Sequence, residues 1–138
     1  MEKRFLSALC VCLCLMGTTV TAFANNHQDS TLPTKFISYT TWADTANRSK
    51  TDDSSVYIKN TSGMDLWVVV RSSSGVNCTY NEHAIVGKGS WLMHNTVYEK
   101  GYKSCNLHIS TAKTSVSGKL SGAWSPDSAG PYDYANPF

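Results

Sequence analysis

The sequence predicts an all-β domain, a small antiparallel β-sandwich or flattened barrel of about seven strands with one disulfide. Short runs rich in β-branched and aromatic residues alternate with clusters of Ser, Asn and Gly, which is the pattern of strands joined by turns. No long segment carries apolar residues at the helical period. One pair of cysteines remains beyond an N-terminal segment that has the features of a signal peptide.

The N-terminus contains the three parts of a secretory signal peptide. Residues 1–4 include two basic side chains, residues 5–16 are apolar, and Ala22 and Ala24 occupy the small-residue positions of a cleavage site. An apolar run of about 12 residues is too short to span a bilayer as a helix. We therefore predict a signal peptide over residues 1–24, a secreted extracellular chain, and no membrane span after cleavage.

The charge of the chain excludes one class of partner. The net charge is +2, and the charged residues are interspersed along the sequence. No basic stripe of the kind that binds nucleic acid or an anionic membrane is present. We therefore expect no nucleic-acid partner.

The first strand is predicted at residues 35–42, after a polar segment without periodicity. Residues 25–47 are thus a flexible leader and first strand, and residues 48–128 form the β-sandwich core. Residues 54–60 alternate between apolar and polar, as in a strand with one buried face. The turn-forming stretch "NTSGMD", residues 60–65, separates this strand from the next.

The middle of the chain contains the strongest strand pattern. Residues 66–71, "LWVVVR", are apolar on both faces, which indicates a central strand with both faces covered. Residues 78–87 and 89–101 are predicted as the next two strands. Residues 105–113 alternate cleanly, and their odd-numbered apolar positions are predicted to face the core.

The last strand is predicted at residues 115–124. Proline has no N–H to donate, so Pro126 is expected to end the pairing, with Asp127 as a turn former. Residues 129–138 are predicted to be a flexible C-terminal tail. The aromatic residues of this tail leave a second interpretation open, namely a short docking peptide.

Three of the five cysteines lie in the predicted signal peptide, so Cys78 and Cys105 are the pair left in the exported chain. An even pair in an oxidising compartment predicts a disulfide. In the chain-entropy model, closing this loop contributes about 3–4 kcal/mol to stability.

The sequence predicts no catalytic residues, no metal site and no cofactor. The G-x-S-x-G pattern of a nucleophilic serine is absent. His94 and Glu99 are the best acid–base pair, but their different parity places them on opposite faces of one strand. The same argument separates Cys105 from His108, which disfavours zinc.

Aromatic residues are the strongest indication of a binding surface. Exposed aromatics on a β-sandwich commonly bind sugars or partner proteins through flat apolar faces. Trp91 and Trp124 are expected to fill the core. Trp67 lies on the second face of a strand that is already apolar on the first, and we predict that Trp67, Tyr57 and Tyr98 form a binding surface.

Three stretches carry a family resemblance: "SKTDDSSVYIKNTSG" at residues 49–63, "NTVYEKGY" at residues 95–102, and "SGAWSPDS" at residues 121–128. Together they resemble an uncharacterised family of small secreted β-proteins of Gram-positive bacteria. Some small secreted β-proteins of the same source group are lactococcin-like bacteriocins. The resemblance implies secretion from a Gram-positive cell and supplies no catalytic residues.

These observations favour a secreted, non-enzymatic binding domain. Its expected partner is an extracellular protein or a cell-wall glycan, at the cell envelope or beyond it. A bacteriocin-like antimicrobial protein is the alternative from another class. A hydrolase of unrecognised type is the third, and it requires two reactive side chains to converge in the folded chain.

Overall fold

The antiparallel all-β fold is confirmed, as a sandwich and not as a closed barrel. The computed structural model describes residues 26–128 and 130–138. The strands in these ranges are β1 (Ser30–Thr31), β2 (Phe36–Ile37), β3 (Ala43–Asp44), β4 (Arg48–Ser49), β5 (Ser55–Asn60), β6 (Leu66–Ser72), β7 (Ala84–Val86), β8 (Gly89–Met93), β9 (Ser104–Thr111), β10 (Gly118–Lys119) and β11 (Gly122–Ser128).

The first sheet has the strand order β1-β11-β5-β8. Ile58 of β5 lies opposite Trp124 of β11 on one side and opposite Trp91 of β8 on the other. Gly122 begins β11 with a φ of 144°, and a Cβ atom at this position would lie 1.9 Å from the carbonyl oxygen of Lys59. Glycine is therefore required for the close approach of β11 to β5.

The second sheet has β9 and β6 at its centre, with β7 beside β6 and with β3 and β4 beside β9. The β6–β9 ladder runs without a break from Leu66 opposite Thr111 to Ser72 opposite Cys105. Burial alternates strictly along β6. One face of the sheet therefore points into the core and the other points outward. The short strands β2 and β10 pair with each other.

The core lies between the inward faces of the two sheets. Burying a large apolar side chain contributes about 1.5–3 kcal/mol relative to exposing it. Trp124 is 1% exposed, as predicted, and Trp91 is partly buried and packs against the same cluster. The fully buried apolar side chains from the central strands include Val56, Ile58, Leu66, Val68, Val70, Leu107, Ile109 and Trp124.

Two predicted strands are shorter than expected because turns interrupt them. In the predicted strand 78–87, β7 begins only at Ala84, since Asn81 and Glu82 have φ values of 60° and 69°. These left-handed values belong to turns and not to extended chain. The predicted strand 89–101 ends with β8, and the residues after it form a bridge and a turn.

The last strand continues past the proline that was expected to end it. β11 extends to Ser128, and its pairing with β5 shifts register between Ser125 and Ser128. Pro126 cannot donate to a ladder, and the irregularity places it where no donor is required. Asp127 is fully buried and is not a turn residue of the surface.

Both ends of the described chain, which were predicted to be a flexible leader and tail, contact the sandwich. Ser30 of β1 pairs with Trp124 of β11. In the tail, the N–H of Leu92 donates to the carbonyl oxygen of Asp133 at 2.8 Å, and the N–H of Ala135 donates to that of Leu92 at 2.9 Å. The tail therefore adds hydrogen bonds to the edge of β8.

The structure does not show the predicted disulfide, and Cys78 and Cys105 are both buried free thiols in it. Cys105 lies opposite Ser72 on one side of β6, while the N–H of Cys78 bonds to Val70 on the other side. Adjacent strands are about 4.8 Å apart. Two such spacings separate the backbones by about 10 Å, beyond the roughly 7 Å that a disulfide bridges between Cα atoms.

The predicted signal peptide, residues 1–24, lies outside the described residues. Among residues that the structure does describe, no helix has the length and apolar character needed to cross a membrane. Secretion therefore stays a prediction from the sequence.

Candidate functional site

The three residues predicted to form one binding surface lie in different places. Tyr57 is buried on β5, its hydroxyl group shares a hydrogen bond of 2.9 Å with Ser90, and its ring packs on Tyr132. Tyr98 is 49% exposed in the turn after β8. Trp67 lies on the outward face of the second sheet. The fold does not bring these three side chains together into one surface.

The surroundings of Trp67 follow from the register of β6 with β9. Trp67 lies opposite Ser110, Val69 lies opposite His108, and Arg71 lies opposite Asn106. All of these positions have the outward parity of the second sheet. The outer face therefore carries one row with the indole of Trp67, one row that pairs a valine with a histidine, and one row of two polar side chains.

Two tryptophans of this face each stack on a histidine. The ring centroids of Trp67 and His83 are 3.6 Å apart, with the ring planes inclined by 10°. The centroids of Trp42 and His108 are 4.1 Å apart, and their planes are inclined by 2°. Each imidazole covers one face of its indole, so the stacks fix the orientation of both tryptophans.

The two tryptophans line a single cavity of about 200 Å³ together with Tyr39 and Ser110. We call these four residues the aromatic cleft. Tyr39 is 44% exposed at its rim, whereas Ser110 is buried at 1% exposure. The hydroxyl group of Ser110 donates to the carbonyl oxygen of Thr111 at 3.2 Å. The cleft is therefore mainly aromatic, which is typical of sites that hold flat apolar faces.

Polar side chains adjoin the aromatic cleft in a connected series, which we call the polar chain. Asp44 accepts a short hydrogen bond from Nδ1 of His108 and forms an ion pair of 3.3 Å with Arg71. Nε of Arg71 donates to Asn106 at 3.1 Å, and Nδ2 of Asn106 donates to Asn47 at 2.7 Å. Because β3 pairs with β9, Asp44 lies directly opposite His108.

The pKa of Asp44 is lowered by its neighbours in the polar chain. Partial burial acts to raise this pKa, but the hydrogen bond from His108 and the charge of Arg71 together outweigh burial and hold the pKa below its ordinary value. Asp44 is therefore an anion at neutral pH. Its negative charge holds the imidazole of His108 in place beneath Trp42.

An aspartate that is hydrogen-bonded to a histidine also occurs in many hydrolytic sites. Such a site requires a nucleophile within hydrogen-bonding reach of the histidine. Within residues 26–128 and 130–138, no hydrogen bond joins His108 to a serine, threonine or cysteine side chain. The contacts of the Asp44–His108 pair are therefore those of a pair that positions an indole.

A second aromatic cluster forms where the C-terminal tail meets the end of β8. His94 stacks on Tyr134 with centroids 3.6 Å apart, and its ring also contacts Phe138. Burial lowers the pKa of His94. This cluster borders a cavity of about 260 Å³ that is also lined by Asp53 and Glu99.

Across the part of the chain that the structure describes, no group of three or more His, Cys, Asp or Glu residues could hold a metal ion.

Comparison with known protein families identifies the family of this chain. Residues 20–128 match the family model described as "Protein of unknown function (DUF2712)". The chain belongs to this family. The match includes every residue of the aromatic cleft and the polar chain. No curated protein and no solved structure matches the chain.

Membership confirms the predicted resemblance to an uncharacterised family. The Gram-positive source and the relation to lactococcin-like bacteriocins stay predictions. Sequence reasoning found Trp67 but missed Tyr39, Trp42, Asp44 and His108 as its partners. Trp42 is the last residue of the predicted first strand, and Asp44 lies just beyond that strand. The sequence signal that could have indicated the aromatic cleft was the presence of two aromatic residues, Tyr39 and Trp42, within four positions.

Proposed function

We propose that this protein is a secreted, non-enzymatic binding domain whose aromatic cleft holds a sugar ring of a cell-envelope glycan. The observation that carries the proposal is the shared cavity of Trp42 and Trp67, each backed by a stacked histidine. The predicted signal peptide supports an extracellular site of action.

The chemistry of the cleft suits a sugar. The ring of a sugar presents C–H groups on its faces and hydroxyl groups around its edge. The C–H faces pack on indole rings, and the flat aromatic side chains bind with little loss of conformational entropy. The hydroxyl groups reach donors and acceptors of the polar chain, where Arg71 and His108 are each about one quarter exposed.

The size of the cleft favours a glycan over a protein partner. A cavity of about 200 Å³ admits a small rigid group. A stable protein interface buries roughly 800 Å² on each side and is centred on a larger patch. The cleft alone is smaller than that, whereas repeated weak contacts along a polymeric glycan give useful avidity.

A sedimentation assay with insoluble cell-wall glycan tests the proposal. The chain from residue 25 onward is mixed with washed glycan and the bound fraction is measured. Trp67→Ala should weaken binding by at least about tenfold, because truncating a central aromatic contact removes more than about 1.4 kcal/mol.

Tyr98→Ala is the matched control, since Tyr98 is an exposed aromatic outside the aromatic cleft. This variant should bind like the native chain. Equal binding by the native chain and by Trp67→Ala would contradict the proposal. Growth inhibition of related strains by the purified chain, without glycan binding, would favour the antimicrobial alternative.

A further inference from the structure

The interior of the sandwich contains a lysine in contact with an aspartate. Nζ of Lys50 lies 2.5 Å from Oδ1 of Asp127, and both side chains are 0% exposed. Lys50 follows β4 at the edge of the second sheet, whereas Asp127 belongs to β11 of the first sheet. The pair therefore connects the two layers of the sandwich from within.

The ammonium group of Lys50 is held in a fixed position. Besides Asp127, Nζ donates to the carbonyl oxygens of Asp52 at 2.8 Å and Ser54 at 2.6 Å. The carboxylate of Asp52 also lies near, with its Oδ1 at 3.8 Å from Nζ. Three acceptors and a second carboxylate thus surround one amine.

The carboxyl group of Asp127 is held asymmetrically. Oδ1 contacts the amine, while Oδ2 accepts from the N–H of Thr51 at 3.0 Å, from the hydroxyl group of Thr51 at 2.8 Å and from the N–H of Asn26 at 3.1 Å. Fixed donors aimed at one oxygen stabilise negative charge that develops there during acyl transfer. The arrangement around Oδ2 is of this kind.

A buried ion pair alone is a weak source of stability, because removing both charges from water offsets much of their attraction. An amine held in direct contact with a buried carboxyl group is, however, a nucleophile beside its electrophile.

We propose that Lys50 and Asp127 condense to an intramolecular amide. Nζ first passes one proton to Oδ1, its lone pair then attacks Cγ of Asp127, and the new N–C bond forms while the negative charge collects on Oδ2. The bond from Cγ to Oδ1 then breaks, and Oδ1 leaves as water with two of the three protons of the original ammonium group. The ammonium and the carboxylate become one amide and one water, with no change of oxidation state.

The neighbouring residues have distinct parts in this step. The donors of Thr51 stabilise the tetrahedral intermediate through Oδ2. The carboxylate of Asp52 relays a proton from Nζ toward the leaving oxygen. The product joins β11 covalently to the chain beyond β4 across a sequence separation of 77 residues. This modification is independent of ligand binding in the aromatic cleft.

The mass of the purified chain from residue 25 onward tests the proposal. After full reduction of thiols, the protein should be lighter than its sequence by one water. Proteolysis followed by fragmentation should give one branched peptide that contains both Lys50 and Asp127.

Lys50→Arg is the matched variant, since it retains a cation that cannot form this amide, and it should have the full sequence mass. The full mass for the native chain would overturn the proposal. So would a loss of water that persists in Lys50→Arg, because that loss would identify a cyclic imide at Asp127. The branched peptide is sought in the native chain, so the test does not depend on folding of the variant.

Discussion

Trp42 and His108 lie with their ring planes 2° apart, and the same imidazole bonds to Asp44. Residues from two distant parts of the chain thus hold one indole in a fixed orientation at the side of the aromatic cleft. A second indole, that of Trp67, is held in the same manner by His83. This pairing of each tryptophan with a histidine is the structural basis of the proposed binding function.

The first prediction concerns the pH dependence of the contact between Asp44 and His108. The folded chain lowers the pKa of Asp44, so the resulting stability is present above the unfolded pKa of about 3.9 and is lost as the pH falls through the folded value. Asp44→Asn should therefore lower the free energy of unfolding at neutral pH, by no more than about 0.5 kcal/mol because the side chain is half exposed.

Urea unfolding of the native chain and of Asp44→Asn, at about pH 7 and about pH 3, checks this prediction. The difference in the free energy of unfolding between the native chain and Asp44→Asn should be smaller at about pH 3 than at about pH 7. Asp65→Asn is the control, since Asp65 is 48% exposed and its ion pair with Lys113 is longer, at 3.9 Å. A difference for Asp44→Asn that is the same at both pH values would contradict the prediction.

The second prediction concerns His94, which the C-terminal tail covers. Burial lowers its pKa in the folded chain, so the unfolded chain takes up a proton first as the pH falls below about 6.5. Stability should therefore decrease from about pH 7 to about pH 5. An NMR titration of the imidazole should give a pKa below the ordinary value, and a pKa at or above it would be incompatible with this environment.

The third prediction concerns Asn136, which anchors the tail. Its side chain is 4% exposed, accepts from the N–H of His94 at 2.8 Å, and donates to the carbonyl oxygens of Tyr80 and His94 at 2.9 Å. Asn136→Ala leaves these backbone groups without their partner, which should cost about 1–3 kcal/mol. Thermal unfolding measures this loss, and an unchanged midpoint would show that the tail does not stabilise the sandwich.

The fourth prediction concerns the two thiols. Burial raises the pKa of the Cys105 thiol to about 12 and also raises that of Cys78. Because the thiolate is the reactive form, alkylation of the folded chain should be slow. Without any reductant, the unfolded chain from residue 25 onward, which contains two of the five cysteines, should take up two alkyl groups, as counted by mass. No uptake under these conditions would demonstrate a disulfide and would contradict the separation of Cys78 and Cys105 across β6.

The parts of the fold that depend on local alternation could be predicted from the sequence. The predicted strands 54–60, 66–71 and 105–113 correspond closely to β5, β6 and β9. In each of them a regular apolar pattern determines which face is buried. The predicted strand 78–87 is too long, because an apolar pattern cannot reveal the left-handed turn conformations of Asn81 and Glu82.

The parts that depend on long-range pairing could not be predicted. Trp42 joins Trp67 only because β3 pairs with β9, and β9 pairs with β6. Asp127 was expected to be a turn residue, since its sequence context is Ser and Pro. In the fold it meets Lys50, a residue far away in the sequence, and is completely buried. Local sequence carries no information about such a partner.

The most direct test of the binding function is an NMR titration of the chain from residue 25 onward with a soluble fragment of cell-wall glycan. The indole N–H signals of Trp42 and Trp67 should shift with one common binding curve, while the signal of Trp124, whose side chain is buried in the core, should not move. Shifts confined to residues outside the aromatic cleft, or no shifts at any glycan concentration, would contradict the proposed function.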